Sequence, residues 1–428
     1  MSLVLLTVVF FTLLICGLPV AFCLAISAVS TLLFMDINPV AAFQMMLSGM
    51  NIFALLALPF FIFAGELMTR GGIAEKLLTF ANSAIGNVKG GLGMVNISSS
   101  MLFGGISGSA VADVSALGST LIPMMEKRGY DKSFAVNVTT SSATLGLLIP
   151  PSHNMIIYSI AAGGGVSISG LFAAGLIPGV LTGICLMVVS YWIAIKRNYP
   201  TEDFPGWQAL FTAFVHSIPG LLTAIIILFG VISGVFTATE SAAIAAFWAA
   251  IVAAFVYRSM DLDIFWQATL AACKTTAMVM LVIGSAAAFG WVLSVNDVPS
   301  MLAAILSSLT DNPILLFLLI NLMLLLLGAV MDMAPLIMIT TPILLPVVQQ
   351  AGMDSTQFGI MLILNLGIGL ITPPVGSVLF VGCAVGKTNI ETVVKGMLPF
   401  YLALFTALLL ITFIPSVSLW LPNWLGIL

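Results

Sequence analysis

The chain has 428 residues, of which 61% are hydrophobic and only 7% charged, with a formal net charge of −4. A soluble domain carries roughly 25% charged residues because its surface must be wetted, so this composition excludes an ordinary soluble enzyme. So small a net charge also gives no reason to expect a nucleic acid or another highly charged partner.

Apolar runs near the ~20 residues that cross a bilayer recur from end to end, and the fold class expected is all-α integral membrane. Residues 1–34 lack the basic n-region of a signal peptide. They read instead as two spans, 3–16 and 20–34, folded at Gly17-Leu18-Pro19. An amphipathic piece over 39–47, expected along the interface, precedes a span over 52–68. Residues 88–128 are apolar but broken near the middle by Ser107-Gly108-Ser109. A span over 133–161 is interrupted by Pro150-Pro151, and a span over 168–195 follows. The order then returns: spans 218–233 and 237–257, an amphipathic piece over 262–272 with Trp266, and a span over 277–293. Residues 312–350 are apolar with Met331-Asp332-Met333 in the middle. A span over 356–385 is interrupted by Pro373-Pro374, and a last span covers 397–414.

The recurrence is visible residue by residue. A shift of 223 positions (346 minus 123) places Pro123 on Pro346, Gly129 on Gly352, Gly146 on Gly369 and Pro150-Pro151 on Pro373-Pro374. The chain therefore divides into two repeats, 1–205 and 206–428. Lys and Arg mark cytoplasmic loops. Lys89 and Lys127 flank the first interrupted segment, whereas Asp311, Gln349, Gln350 and Asp354 flank the second. Both segments read as re-entrant hairpins entering from opposite sides. With five spans per repeat, an odd number, the second copy is inverted.

No catalytic constellation is present. His153 and His216 are far apart, no serine lies in a G-x-S-x-G elbow, and the glycines of 104–108 lie inside a hairpin, away from any strand-to-helix phosphate loop. Cys16, Cys23, Cys185, Cys273 and Cys383 stand singly, so neither a disulfide nor a zinc site is expected. What stands out is broken backbone at bilayer depth. Such stretches persist only inside protein or beside a water-filled cavity, and exposed carbonyls with half-helix N-termini suit a sodium ion and an anionic solute. Asp113 and Asp332 sit inside the hairpins, where an ionised carboxylate is costly without a partner; they serve either a coupling ion or the capping of a tip. Thr372 offers a hydroxyl where Ile149 offers only a carbonyl. Ser152, His153 and Asn154 follow the first proline break, where they are placed to line a solute cavity. Glu66 and Arg70 have the spacing of a helical ion pair, and Glu240 that of a capping residue.

These motifs resemble the large membrane subunit of the tripartite ATP-independent periplasmic (TRAP) transporters. The matching stretches are Gly105-Ile-Ser-Gly-Ser-Ala-Val-Ala-Asp113, Leu148-Ile-Pro-Pro-Ser152, Phe236-Thr-Ala-Thr-Glu-Ser-Ala-Ala243 and Leu370-Ile-Thr-Pro-Pro-Val-Gly376. Ala238 departs from the family's usual proline and bears on a helix start. The resemblance implies an elevator-type transporter of the bacterial inner membrane that is not an enzyme and uses no cofactor beyond sodium as coupling ion. It implies two partners, a small four-span membrane subunit and a periplasmic substrate-binding protein, and a carboxylated solute such as sialic acid or a C4-dicarboxylate. Carried over by position, one sodium site involves Ser107, Ser109, Asp113, Gly146 and Pro150. The other involves Gly328, Met331, Asp332, Thr372, Pro373 and Gly376. Solute contacts fall to Ser109, Ser152, His153, Asn154 and Ser377. A stand-alone proton- or sodium-coupled carrier on the same scaffold is the alternative.

Overall fold

The computed structural model describes every residue except Glu202 and Asp311, and every side chain except those two and Ile106, Ser107, Ala303 and 306–309. The reading of Asp311 as a hairpin flank therefore lies outside the described residues. Among those described there is no strand. In chain order the helices are α1 (Ser2–Ile15), α2 (Val20–Phe34), α3 (Val40–Met50), α4 (Ala57–Arg70), α5 (Ile73–Ile85), α6 (Gly91–Ser107) and α7 (Ala110–Lys127). Then come α8 (Lys132–Ala143), α9 (Leu145–Leu148), α10 (His153–Ala161), α11 (Ile168–Lys196), α12 (Trp207–Ile232), α13 (Ala238–Ile251) and α14 (Leu262–Val295). The remainder are α15 (Val298–Leu309), α16 (Pro313–Gly328), α17 (Met333–Gln350), α18 (Ser355–Gly369), α19 (Ser377–Gly386), α20 (Ile390–Phe413) and α21 (Pro415–Trp424).

Local chemistry sets many of these boundaries. Thr237 and Glu240 form a reciprocal capping box that starts α13 at Ala238, so the alanine found there begins a helix without help from proline. Asp261, Asn312 and Asp354 each accept a backbone N–H at the start of α14, α16 and α18. Glu66 and Arg70 pair at 3.0 Å on the last turn of α4.

Seven helices among the described residues are long and apolar enough to cross a membrane. Six of them coincide with expected spans, and the seventh is α17. The first two expected spans are helices of 14 and 15 residues, about 21 Å each at 1.5 Å per residue. One expectation is corrected. Residues 262–272 form no separate interfacial helix, because nothing breaks the run to residue 295 and α14 continues through all 34 residues. In the first half, an extended Ile52 and a short 3-10 turn over Phe53–Leu56 do separate α3 from α4. Helices α5, α15 and α21 were not anticipated; α5 hides its apolar Ile73, Leu77 and Leu78 and exposes its polar side.

Two groups of packed helices stand out, joined to each other by α5 on α6 and by α14 on α17. Early helices of one half lie on early helices of the other: α4 on α13 and α14, α2 and α3 on α14, and α5 on α12. Each helix–turn–helix pair lies instead on a broken helix, α6 and α7 on α8 and α16 on α18. The halves then cross over, α7 packing on α19 and α17 on α10. Deepest of all are α8 and α18, in which every residue from 134 to 143 and from 356 to 369 is buried.

Candidate functional site

Two junctions bring a helix–turn–helix tip against an interrupted helix. At the first, the turn between α6 and α7 meets the interruption between α9 and α10. Gly104 and Gly146 touch backbone to backbone, for a Cβ added to Gly104 would stand 2.6 Å from the Gly146 Cα. Only glycine permits that approach. A Cβ on Gly105 would stand 3.0 Å from the Pro150 carbonyl oxygen and 3.3 Å from that of Ile149, so both carbonyls face the turn. Gly108 closes the turn at φ 61°, with His153 Nδ1 and the Pro151 carbonyl oxygen beside it. Ser109 caps α7 by accepting the Ala112 N–H at 3.4 Å. Pro150, Pro151, Ser152 and Asn154 are all buried, and the Ser152 hydroxyl has no hydrogen-bond partner. A buried, unpaired hydroxyl costs about 1–3 kcal/mol, a deficit that an ion or a solute oxygen removes.

The second junction repeats this backbone with other side chains. A Cβ on Gly369 would stand 2.6 Å from the Gly328 Cα. The Val375 N–H donates to the Ala329 carbonyl at 3.0 Å, tying tip to interruption. Ser377 donates to Asp332 Oδ1 at 3.1 Å, and Thr372 donates to the Ile368 carbonyl at 2.7 Å. Gly376 takes φ 35° and Met331 is buried beside the tip. In contrast to the first junction, Asp332, Pro373, Pro374 and Val375 are exposed in the single chain.

The structure thus gathers Ser109, Gly146, Pro150, Ser152, His153 and Asn154 at one junction. It gathers Gly328, Met331, Asp332, Thr372, Pro373, Gly376 and Ser377 at the other. The Ser107 side chain lies outside the described residues. Asp113 lies one turn into α7 and is only 1% exposed, its carboxylate beside the Ser100 hydroxyl. Around it runs a polar network that sequence reading missed. Asn96 donates to Thr139 at 2.7 Å, Ser142 donates to Asn96 at 3.2 Å, and Ser100 and Ser142 share a hydrogen bond of 3.0 Å. Also missed were Gly104, whose match to Gly328 lies one residue off the 223 register, and Tyr401, whose hydroxyl donates to the Ile371 carbonyl at 2.6 Å. The run Asn137-Val-Thr-Thr-Ser-Ser-Ala-Thr144, unusually polar for a span, was the signal available for the network.

The family model described as the DctM component of the tripartite ATP-independent periplasmic transporters matches residues 7–417. The chain belongs to that family. It is similar to the 2,3-diketo-L-gulonate TRAP transporter large permease YiaN of Escherichia coli, 38% identical with 96% of each chain covered. The sialic acid TRAP transporter large permease SiaM of Vibrio cholerae is 40% identical, again over 96% of each chain. The C4-dicarboxylate TRAP transporter large permease DctM of Pseudomonas aeruginosa is 40% identical over 87% of each. Among solved structures, the YdaH transporter of Alcanivorax borkumensis superposes with a TM-score of 0.59 at 16% identity, covering 90% of this chain and 88% of that one. MtrF of Neisseria gonorrhoeae gives 0.57 at 12% identity, covering 87% and 82%. These two bear on the fold alone. This DctM-family chain is accordingly a TRAP transporter large permease subunit, a multi-pass protein of the bacterial inner membrane and not an enzyme.

Proposed function

We propose that the chain imports a small carboxylated organic solute by coupling it to sodium. The observation that carries this reading is the doubled junction of glycine contact and proline break, at Gly104–Gly146 and Gly328–Gly369. Main-chain carbonyls of Ile149 and Pro150 turned toward a tip are hard oxygen ligands, suited to an alkali cation. One sodium sits at Ser107, Ser109, Gly146 and Pro150, with Asp113 supplying negative charge from the adjoining helix. A second sits at Gly328, Met331, Asp332, Thr372, Pro373 and Gly376. The solute lies between them, within reach of Ser109, Ser152, His153, Asn154 and Ser377. Three relatives named for 2,3-diketo-L-gulonate, sialic acid and C4-dicarboxylates support a carboxylate as its common group.

The halves act as inverted repeats, and the hairpins move with the broken helices. Support comes from the packing, in which α6–α10 and α16–α19 hold one another while α2–α4 hold α13 and α14. That division suits an elevator, one body sliding on another. The family's own description is tripartite and periplasmic, which supports a periplasmic binding protein and a small membrane subunit as partners.

The test is solute uptake into proteoliposomes containing this chain with its small membrane partner, the binding protein outside and an inward sodium gradient imposed or withheld. Uptake requiring both gradient and binding protein is expected. Uptake indifferent to the binding protein would replace the tripartite reading with a stand-alone carrier, and uptake indifferent to sodium would remove the ion sites.

A further inference from the structure

Away from both junctions, a cavity of about 400 Å³ opens where the ends of α8, α11 and α20 meet. Lys196, Arg197 and Lys395 line it together with Trp192 and the buried Asn137. Three cations share one carboxylate: Asp131 accepts from Arg197 and from the Tyr199 hydroxyl, while neither lysine has an acidic partner among the described residues. Lys196 lies instead over the Trp192 ring, 5.1 Å from its centre. Arg197 presents five N–H donors, of which the bonds to Asp131 and Tyr199 both use Nη1. The cavity therefore holds surplus positive charge with free donors. Asn137 adds a buried Oδ1 without a partner.

An apolar track leads out of this cavity along the membrane. On α11 the exposed residues Val180, Ile184, Val188 and Trp192 recur every fourth position and end at Lys196. On α20, exposed Leu398 and Leu402 continue from Lys395. Residues so spaced share one helix face. A soluble anion has no use for such rails, whereas a molecule with an anionic head and hydrocarbon tails matches both parts. The tryptophan stands at the boundary between them, where its ring is favoured.

We propose that this cavity binds the phosphodiester headgroup of an anionic phospholipid of the cytoplasmic leaflet, its acyl chains lying along α11 and α20. Basic pockets between membrane helices on the cytoplasmic side take such headgroups, and the lysine and arginine distribution puts this end of the bundle inside. The Asn137 amide oxygen accepts a hydroxyl from a glycerol headgroup, which makes phosphatidylglycerol the natural probe.

The experiment is native mass spectrometry of the full chain in neutral detergent, titrated with phosphatidylglycerol or with phosphatidylcholine of the same acyl chains. Phosphatidylglycerol is expected to bind in preference. Lys196→Gln with Lys395→Gln should weaken it about thirtyfold, on roughly 1 kcal/mol per cation near the surface. Lys76→Gln with Lys274→Gln, equal in charge but elsewhere, should leave it unchanged. Millimolar inorganic phosphate should not displace the lipid from the wild-type chain; displacement would show a site for free anions and overturn the proposal. Equal binding of the two lipids, or full retention by the first double variant, would overturn it as well. Should that variant fail to fold, wild type and Trp192→Phe are compared with brominated phosphatidylglycerol. The part of the quenching that is lost in Trp192→Phe should saturate at a lower concentration of brominated phosphatidylglycerol than of brominated phosphatidylcholine. A Trp192-dependent part that is equal for the two lipids, or absent, overturns the proposal.

Discussion

The two junctions share a backbone and differ in almost every side chain. Both press glycine on glycine and interrupt a helix at a double proline. Yet the first is sealed, with Pro150, Pro151 and Ser152 buried, whereas Pro373, Pro374 and Val375 are exposed. The helix feeding the first, α8, buries Asn137, Thr139, Thr140, Ser141, Ser142 and, at its C-cap, Thr144. Shifted by 223, the same positions in α18 are Ile360, Leu362, Ile363, Leu364, Asn365 and Gly367. Only one element of the network has a counterpart: Asn365, on which Ser142 falls, donates at 2.8 Å to Oδ1 of Asn321, two residues beyond the position on which Asn96 falls. What the halves retain in common is a way of presenting main-chain carbonyls. Side-chain polarity is set separately in each, and each half can therefore be broken separately.

The largest effect is expected where backbone meets backbone. Gly104→Ala, the counterpart of Gly328→Ala, puts a Cβ 2.6 Å from the Gly146 Cα, and no flexible side chain can give way. Overpacking of this kind costs about 1–3 kcal/mol, or several degrees of melting temperature for a chain this size. Uptake should fall at least about tenfold, since the carbonyls of Ile149 and Pro150 move with the contact. Gly328→Ala meets nothing closer than 3.3 Å and should be much milder. Equal damage from both, in melting temperature and uptake, would contradict the difference between the junctions.

Next come the two carboxylates. Asp113 is buried beside the Ser100 hydroxyl, and Asp332 is exposed and bonded to Ser377. Removing a buried charge from an ion's surroundings costs more than removing a solvated one. Asp113→Asn should therefore raise the sodium concentration for half-maximal uptake by about tenfold or more, and Asp332→Asn by about threefold. The reverse order would move the principal ion site to the second junction. An unchanged sodium dependence in Asp113→Asn would make that residue structural.

The outline of the fold was legible because its strongest signals are compositional. Apolar runs, double prolines and the tip residues Ser109 and Asp332 can be read at fixed offsets. Less legible were features that depend on contact between distant segments. Gly104 is one glycine among several until Gly146 is brought against it. Tyr401 lies 30 residues from the Ile371 carbonyl it binds. Helix α5 escaped notice because it is too short and too polar on one side to resemble a span, and α14 because the sequence offers no stop between an amphipathic start and an apolar end. Asp113 and Asp332 read alike as acids inside hairpins, but the shift of 223 places Asp332 on Ser109 and Asp113 on Leu336. The two carboxylates are therefore not equivalents, and it takes the burial of one and exposure of the other to separate them.

The smallest expected effect concerns two aspartates that the shift of 223 does relate, Asp131 and Asp354, each preceding a broken helix. Asp354 accepts the Thr356 N–H at 2.7 Å and simply caps α18, a task that asparagine performs equally well. Asp131 makes no such cap; it accepts from Tyr199 at 2.7 Å and from Arg197 at the end of α11. The Tyr199 hydroxyl first, and the Arg197 guanidinium after it, hold the Asp131 carboxyl below its ordinary value. A carboxyl lowered in the folded state contributes stability that is complete above its unfolded pKa, near 3.9, and disappears as pH falls through the folded value. Because Asp131 and Arg197 are both largely exposed, the contribution is only a few tenths of a kcal/mol. Asp131→Asn should therefore lower the melting temperature by about 1 °C at pH 7, and the deficit should close as pH is taken below about 4. Asp354→Asn should show no deficit at either pH. A deficit in Asp131→Asn that persisted unchanged in acid would assign its effect to hydrogen-bond geometry and not to charge.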